Sequence, residues 1–165
     1  MRKLFRSNRS RSILVACTLL SSALLGSGVA QANTCRPWHI DLSAQFSESV
    51  YDEDGNLIYG EAKGSGYASH IGEMRVLGLN YFAPPANGVL VVVDGTGFFT
   101  AIDGDQIFVS FDGAAIDLAT GAGTGTYVVT GGTGRFSRAT GRADLSSSPL
   151  APNGFTVVAD GTLCF

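Results

Sequence analysis

Seven Asx-Gly pairs punctuate this chain: Asp54-Gly55, Asn87-Gly88, Asp94-Gly95, Asp103-Gly104, Asp112-Gly113, Asn153-Gly154 and Asp160-Gly161. Glycine, and to a lesser degree Asn or Asp, tolerates positive φ, so such pairs favour the tight reversals of β-hairpins. Through residues 87–112 they recur every seven to nine residues, which fits a meander of short strands. The segments between them carry strand patterns. Trp38, Ile40, Leu42, Ala44 and Phe46 alternate with His39, Asp41, Ser43, Gln45 and Ser47, a period of two with one apolar face. Residues 89–93 are continuously aliphatic and predict a strand buried on both faces. Further strands are predicted at 57–59, 65–79, 97–101, 106–111, 114–118, 125–130, 141–145 and 155–159, with 146–153 as a loop. Helix signals are nearly absent after residue 32.

The first 32 residues have a different character. Arg2, Lys3, Arg6, Arg9 and Arg11 form a cationic stretch with no acid, residues 13–25 are apolar or small, and Ala30-Gln31-Ala32 supplies a small-x-small cleavage pattern. That apolar run is shorter than the roughly 20 residues needed to span a bilayer. These features predict a cleaved export signal over residues 1–32 and one domain over residues 33–165, secreted or periplasmic. Leu14-Val15-Ala16-Cys17 resembles a lipobox, but its apolar run continues past the cysteine instead of preceding it. No later stretch is long and apolar enough to be a transmembrane helix, so the domain is not expected to span a membrane.

Losing the signal removes five cations and one cysteine. Six Lys and Arg then face fourteen Asp and Glu, a net charge of −8. Such a chain has no basic stripe to track a phosphate backbone, which argues against nucleic acid as a partner. The acidity suits solubility. Cys35 and Cys164 remain, one at each end of the domain, and two thiols in an exported chain predict one disulfide. A link between the first and last strands would hold them side by side. Short antiparallel strands either leave edges or close on themselves. The expected fold is therefore all-β, a single closed antiparallel barrel of about eight strands. A two-sheet sandwich also lets terminal strands meet and stands as the alternative.

Residues 127–145 read Tyr-Val-Val-Thr-Gly-Gly-Thr-Gly-Arg-Phe-Ser-Arg-Ala-Thr-Gly-Arg-Ala-Asp-Leu. This segment resembles the signature of the allene oxide cyclase and dirigent superfamily, in which a strand ends in a Gly-Gly-Ser/Thr-Gly turn followed by an aromatic, a short bulge, a glycine and the next strand. Gly131, Gly132, Gly134, Phe136, Ala139 and Gly141 fill those places. The stretches 64–72 and 101–105 are similar to exported bacterial proteins that share this barrel. The resemblance is specific over about 20 residues and diffuse over about 100. It implies an eight-stranded, calycin-like barrel with a central cavity, often assembled as a homotrimer, whose characterised relatives cyclise reactive apolar molecules or steer radical coupling. The signature marks fold, not chemistry, and no catalytic residue of the relatives is carried over. Read from the residues alone, the glycines permit a tight reversal and Phe136 caps the barrel end. Neither phosphate-binding glycine motif is present, and no helix follows.

Few residues suggest chemistry. His70 lies in Gly66-Tyr67-Ala68-Ser69-His70-Ile71-Gly72, where alternation puts it on a face of small residues. There it would line a cavity, or else hydrogen-bond a strand or turn. Glu73 and Arg75 share a face with Tyr67, either as a surface pair or as inward polar groups. His70 and Glu73 are thus the catalytic candidates. Trp38, Phe46, Tyr67 and Phe136 join His70 as expected ligand-contacting residues. Arg135, Arg138 and Arg142 surround the glycine turn, either solvated and paired with acids or holding a carboxylate. Two distant histidines and two paired cysteines provide no metal site. Asp52-Glu53-Asp54-Gly55-Asn56 departs from a calcium loop in its glycine position and missing glutamate and reads as a solvated turn. No G-x-S-x-G elbow occurs, and no cofactor is expected.

Three functions fit this reading. One is a barrel that binds a small apolar or amphipathic molecule in its interior. The second is a cofactor-independent cyclase, isomerase or dirigent-like steering protein. The third is a structural or surface-assembly protein. Interior volume separates the third from the others.

Overall fold

The computed structural model describes residues 34–165, and the segment read as an export signal, with Cys17, lies outside the described residues. Eight strands follow in chain order: β1 Cys35–Tyr51, β2 Leu57–Ala68, β3 Gly72–Phe82, β4 Val89–Ala101, β5 Gln106–Asp117, β6 Gly123–Gly132, β7 Thr140–Leu150 and β8 Gly154–Cys164. Each pairs antiparallel with the next, and β1 pairs with β8, so the sheet closes into one barrel without an open edge. The fold is thus the closed barrel, not the sandwich. Cys35 and Cys164 lie opposite each other in the β1–β8 register and are bonded, with Cα atoms 3.9 Å apart.

The alternation in β1 holds as read. Trp38, Ile40, Leu42 and Ala44 are buried, and His39, Asp41, Ser43 and Gln45 are exposed. The outer wall carries Asp41, Lys63, Glu73, Arg75, Asp112 and Arg142, all exposed. Apolar inside and charged outside is the inverse of the pattern with which a barrel crosses a bilayer. Among the described residues no helix is long and apolar enough to cross one.

The two ends of the barrel differ. At one end stand the β2–β3 and β4–β5 turns, both chain termini of the described domain, and a 3₁₀ turn over Gly134–Phe136 between β6 and β7. Phe136 is fully buried there, with its ring 5.2 Å from that of Phe165 and the Arg135 guanidinium 4.6 Å above it. Trp38, Ile40, Ile107 and Leu163 fill the adjoining half of the barrel. At the other end the β1–β2, β3–β4, β5–β6 and β7–β8 connections surround a mouth.

Several strand limits differ from the sequence reading. The predicted 65–79 strand is a hairpin, with Ser69, His70 and Ile71 between β2 and β3. Segments 89–93 and 97–101 are one strand, β4, and segments 106–111 and 114–118 are another, β5. Asp94-Gly95, Asp112-Gly113 and Asp160-Gly161 therefore sit inside strands. Gly113 still uses its positive φ, at a shift in the β5–β6 register. A bulge and a turn demand the same residue types, so sequence does not separate them. Residues 89–93 are not buried on both faces, since Leu90 is buried while Val93 is 62% exposed. The predicted loop at 146–153 shrinks to three residues, because β7 runs through Leu150 in register with β8.

Candidate functional site

The open half of the barrel holds a cavity of about 460 Å³. Its position follows from side-chain size. Toward the closed end the inward positions carry large residues, among them Trp38, Ile40, Met74, Ile107 and Leu163. Toward the mouth, β3 and β4 instead turn Gly78 and Gly97 inward, directly opposite each other in register. A Cβ on Gly97 would meet Val109 Cγ2 at 2.7 Å, so that glycine is needed for packing. A Cβ on Gly78 would meet only the Asn80 Nδ2, at 3.6 Å, so its missing side chain leaves space.

The floor and far wall of the cavity are aromatic. Phe99 and Tyr127 meet edge to face with centroids 5.4 Å apart, and Phe111 packs on Tyr127 at 5.2 Å. Phe46 and Phe155 stack across the β1–β8 seam at 5.4 Å. Ser49, Asn80, Thr124, Ser147 and Asn153 also line the cavity. Asn80 is buried, 8% exposed. Tyr127 is 4% exposed, and burial alone pushes its phenol well above the usual tyrosine range, so it stays neutral. Among the described residues, no Asp, Glu, Lys, Arg or His lines this cavity.

Of the residues expected to contact a ligand, Phe46 alone does line it. His70 does not. It stands in the β2–β3 turn with φ 69°, is exposed, and its ring Nε2 lies 2.9 Å from the Pro37 carbonyl oxygen. Alternation carries no directional information through a turn, and this histidine ties the hairpin to β1. The small residues beside it serve close packing. A Cβ on Gly66 would collide with the Asp41 carbonyl, so β1 and β2 approach there as closely as their backbones allow. Tyr67 and Glu73 are exposed on the outer wall, Tyr67 by 55%. Arg75 is also outside, and no ion pair joins it to Glu73. Ile71, the last residue of the β2–β3 turn, is buried under the closed end. Trp38 and Phe136 belong to the filled half, and the buried Trp38 indole nitrogen finds no hydrogen-bond partner among the described residues.

The cationic cluster around the glycine turn is occupied. Arg135 pairs with Asp103, and its backbone N–H donates to Asp105 Oδ2 at 3.1 Å. The Asp105 backbone N–H, then the Arg135 guanidinium, hold the Asp103 carboxyl below its usual range. Arg142 pairs with Asp112 at 3.0 Å. Asp52 accepts from the Asn56 side-chain amide and from the backbone N–H groups of Asn56 and Asp54, which close the β1–β2 turn and lower its pKa in that order of effect.

The sequence reading missed Asn80, Tyr127, Gly78 and Phe111 as cavity residues. Tyr127 opens the segment that carries the family resemblance, but nothing in its neighbours marks it as inward. Asn80 sits among Leu79, Tyr81 and Phe82, and a polar residue at an otherwise apolar inward position was the available signal. A scan against models of known protein families finds no match, and a search of curated proteins finds no significant one.

Proposed function

We propose that this chain is an exported barrel that binds a small, mainly apolar molecule in the open half of its interior, without a cofactor. The observation that carries the reading is the 460 Å³ cavity with aromatic walls and a few polar groups, open at one end. That size and lining suit a small-molecule site. A structural protein would use an evenly filled core, and here large side chains fill one half of the barrel only. Export is supported by the signal-like residues 1–32 and by the Cys35–Cys164 bond, which persists in oxidising compartments.

The resemblance to allene oxide cyclases and dirigent proteins supports the same reading. A cyclase or steering activity in this cavity would rest on holding a reactive molecule in one shape, because its lining offers no acid–base pair. The homotrimer implied by the resemblance finds support on the outer wall. Leu77, Phe98 and Phe108 lie side by side across β3, β4 and β5, half-buried, with the phenylalanine rings 5.6 Å apart.

The test is a titration of the mature, disulfide-bonded protein with diphenylhexatriene, a hydrocarbon that fluoresces in apolar surroundings. A Kd on the order of 10 µM or tighter is expected for an apolar ligand of that size. Native mass spectrometry of protein purified from its natural host should show a retained small molecule. Absence of dye binding would overturn the reading.

A further inference from the structure

The polar chemistry of the cavity narrows its occupant, an argument that rests on the binding reading above. Among the described residues no charged side chain lines the cavity. A carboxylate or ammonium drawn into such a wall would lose its hydration without gaining a partner. The surroundings of the mouth add to this for anions. Asp52, Glu53 and Asp54 occupy the β1–β2 turn and Asp117 ends β5, all at the open end. The cations of the described residues lie elsewhere: Arg36, Arg135 and Arg138 near the closed end, and Lys63, Arg75 and Arg142 along the strands. An approaching anion therefore meets a repulsive field at the mouth.

A pure hydrocarbon leaves a different group unsatisfied. Asn80 is the inward residue of β3 one place below Phe82 at the rim. It is 8% exposed, yet among the described residues its amide forms no hydrogen bond. A primary amide offers two donors and an acceptor with two lone pairs; these atoms stay open to the cavity, and a hydrocarbon that covered them would leave them unpaired at a cost. Space lies beside it, because the absent Gly78 side chain leaves atoms free to approach from that direction. Tyr127, neutral and buried, is the other deep polar group in the wall.

We infer that the occupant is an uncharged, largely apolar molecule carrying a carbonyl or hydroxyl group that hydrogen-bonds the Asn80 amide. The residue acts as a specificity determinant: it selects a neutral oxygen function over both a carboxylate and a bare hydrocarbon.

The experiment uses the mature disulfide-bonded chain loaded with diphenylhexatriene and displaces the dye with methyl nonyl ketone or with undecanoate, equal in carbon number, at about pH 8. The ketone should displace the dye at a concentration at least about tenfold lower (about 1.4 kcal/mol) than undecanoate. Asn80→Leu, similar in size, should weaken the ketone about five- to tenfold and tighten the dye, a hydrocarbon that no longer covers an unpaired amide. Undecanoate competing as well as the ketone would overturn the inference. So would a ketone affinity untouched by Asn80→Leu. The wild-type comparison stands by itself if that variant misfolds. Failure of the dye to bind wild type would overturn the binding reading, and this inference with it, whereas dye binding without ketone preference overturns the inference alone.

Discussion

Replacing Gly78 with leucine should stabilise this protein, an unusual outcome for a large residue introduced at an inward barrel position. A Cβ at Gly78 has one neighbour within 4 Å, the Asn80 Nδ2 at 3.6 Å, and the backbone there does not require positive φ. The new side chain would project into the 460 Å³ cavity. Full burial of a leucine is worth about 1.5–3 kcal/mol, and a cavity open at one end yields roughly half of that. Removing a glycine from a strand adds about 0.5–1 kcal/mol, and fixing the leucine rotamer takes back about as much. The net gain is about 0.8–1.5 kcal/mol, or roughly 3–6 °C in Tm for a domain of about 130 residues. Urea unfolding followed by fluorescence of the single, buried Trp38 measures it directly. Diphenylhexatriene binding should weaken at least about tenfold in the same variant, because the leucine occupies the ligand's space. Two other inward glycines provide contrast. Gly97→Leu would press on Val109, and Gly66→Leu on the backbone of β1, and each should destabilise by about 1–3 kcal/mol. If Gly78→Leu also destabilises by more than about 0.5 kcal/mol, or leaves dye binding unchanged, the space assigned to the cavity is wrong.

Other residues give further tests. The Cys35–Cys164 bond spans 129 residues, for which chain entropy allows about 5 kcal/mol; the paired Cys35→Ser, Cys164→Ser variant should lose about 2–4 kcal/mol, read as a urea midpoint shift, because the β1–β8 ladder still closes the barrel. Burial raises the Tyr127 pKa above its unfolded value near 10.0, so its contribution is complete below about pH 10 and declines as pH rises beyond it. Wild type should therefore lose up to about 1.4 kcal/mol per pH unit relative to Tyr127→Phe in that range, and parallel pH profiles for the two would refute the burial of the phenol. Gly134 combines φ 52° with a position where a Cβ would collide with Asp105, so Gly134→Ala should cost about 1–3 kcal/mol without altering dye affinity, and a neutral result would remove the structural account of the glycine turn.

Much of the architecture was legible before any coordinates. The alternation from Trp38 to Ser47 set one face of β1 inward, because successive side chains on a strand must point to opposite sides. Two cysteines at the domain's ends implied that the first and last strands meet, in a barrel or a sandwich, and the β1–β8 ladder decides for the barrel. Phe136, between a glycine turn and the next strand, read correctly as a cap on the barrel end. Strand limits were less legible, since a glycine that makes a bulge, as Gly113 does, looks the same as one that makes a turn.

The site itself belonged to tertiary structure. His70 and Gly66 appeared to lie beside open space, yet the histidine stands in a turn and the glycine is pressed against β1. Gly78, with no distinguishing neighbour in the sequence, is the glycine that opens onto the cavity. A small residue has the same local signature whether a backbone crowds it or a void faces it. The side chains that decide between the two, Val109, Phe111 and Tyr127 among them, arrive from strands thirty to fifty residues away. Local periodicity thus determined which way each strand faces, and the meeting of distant strands determined where the interior is filled and where it is open.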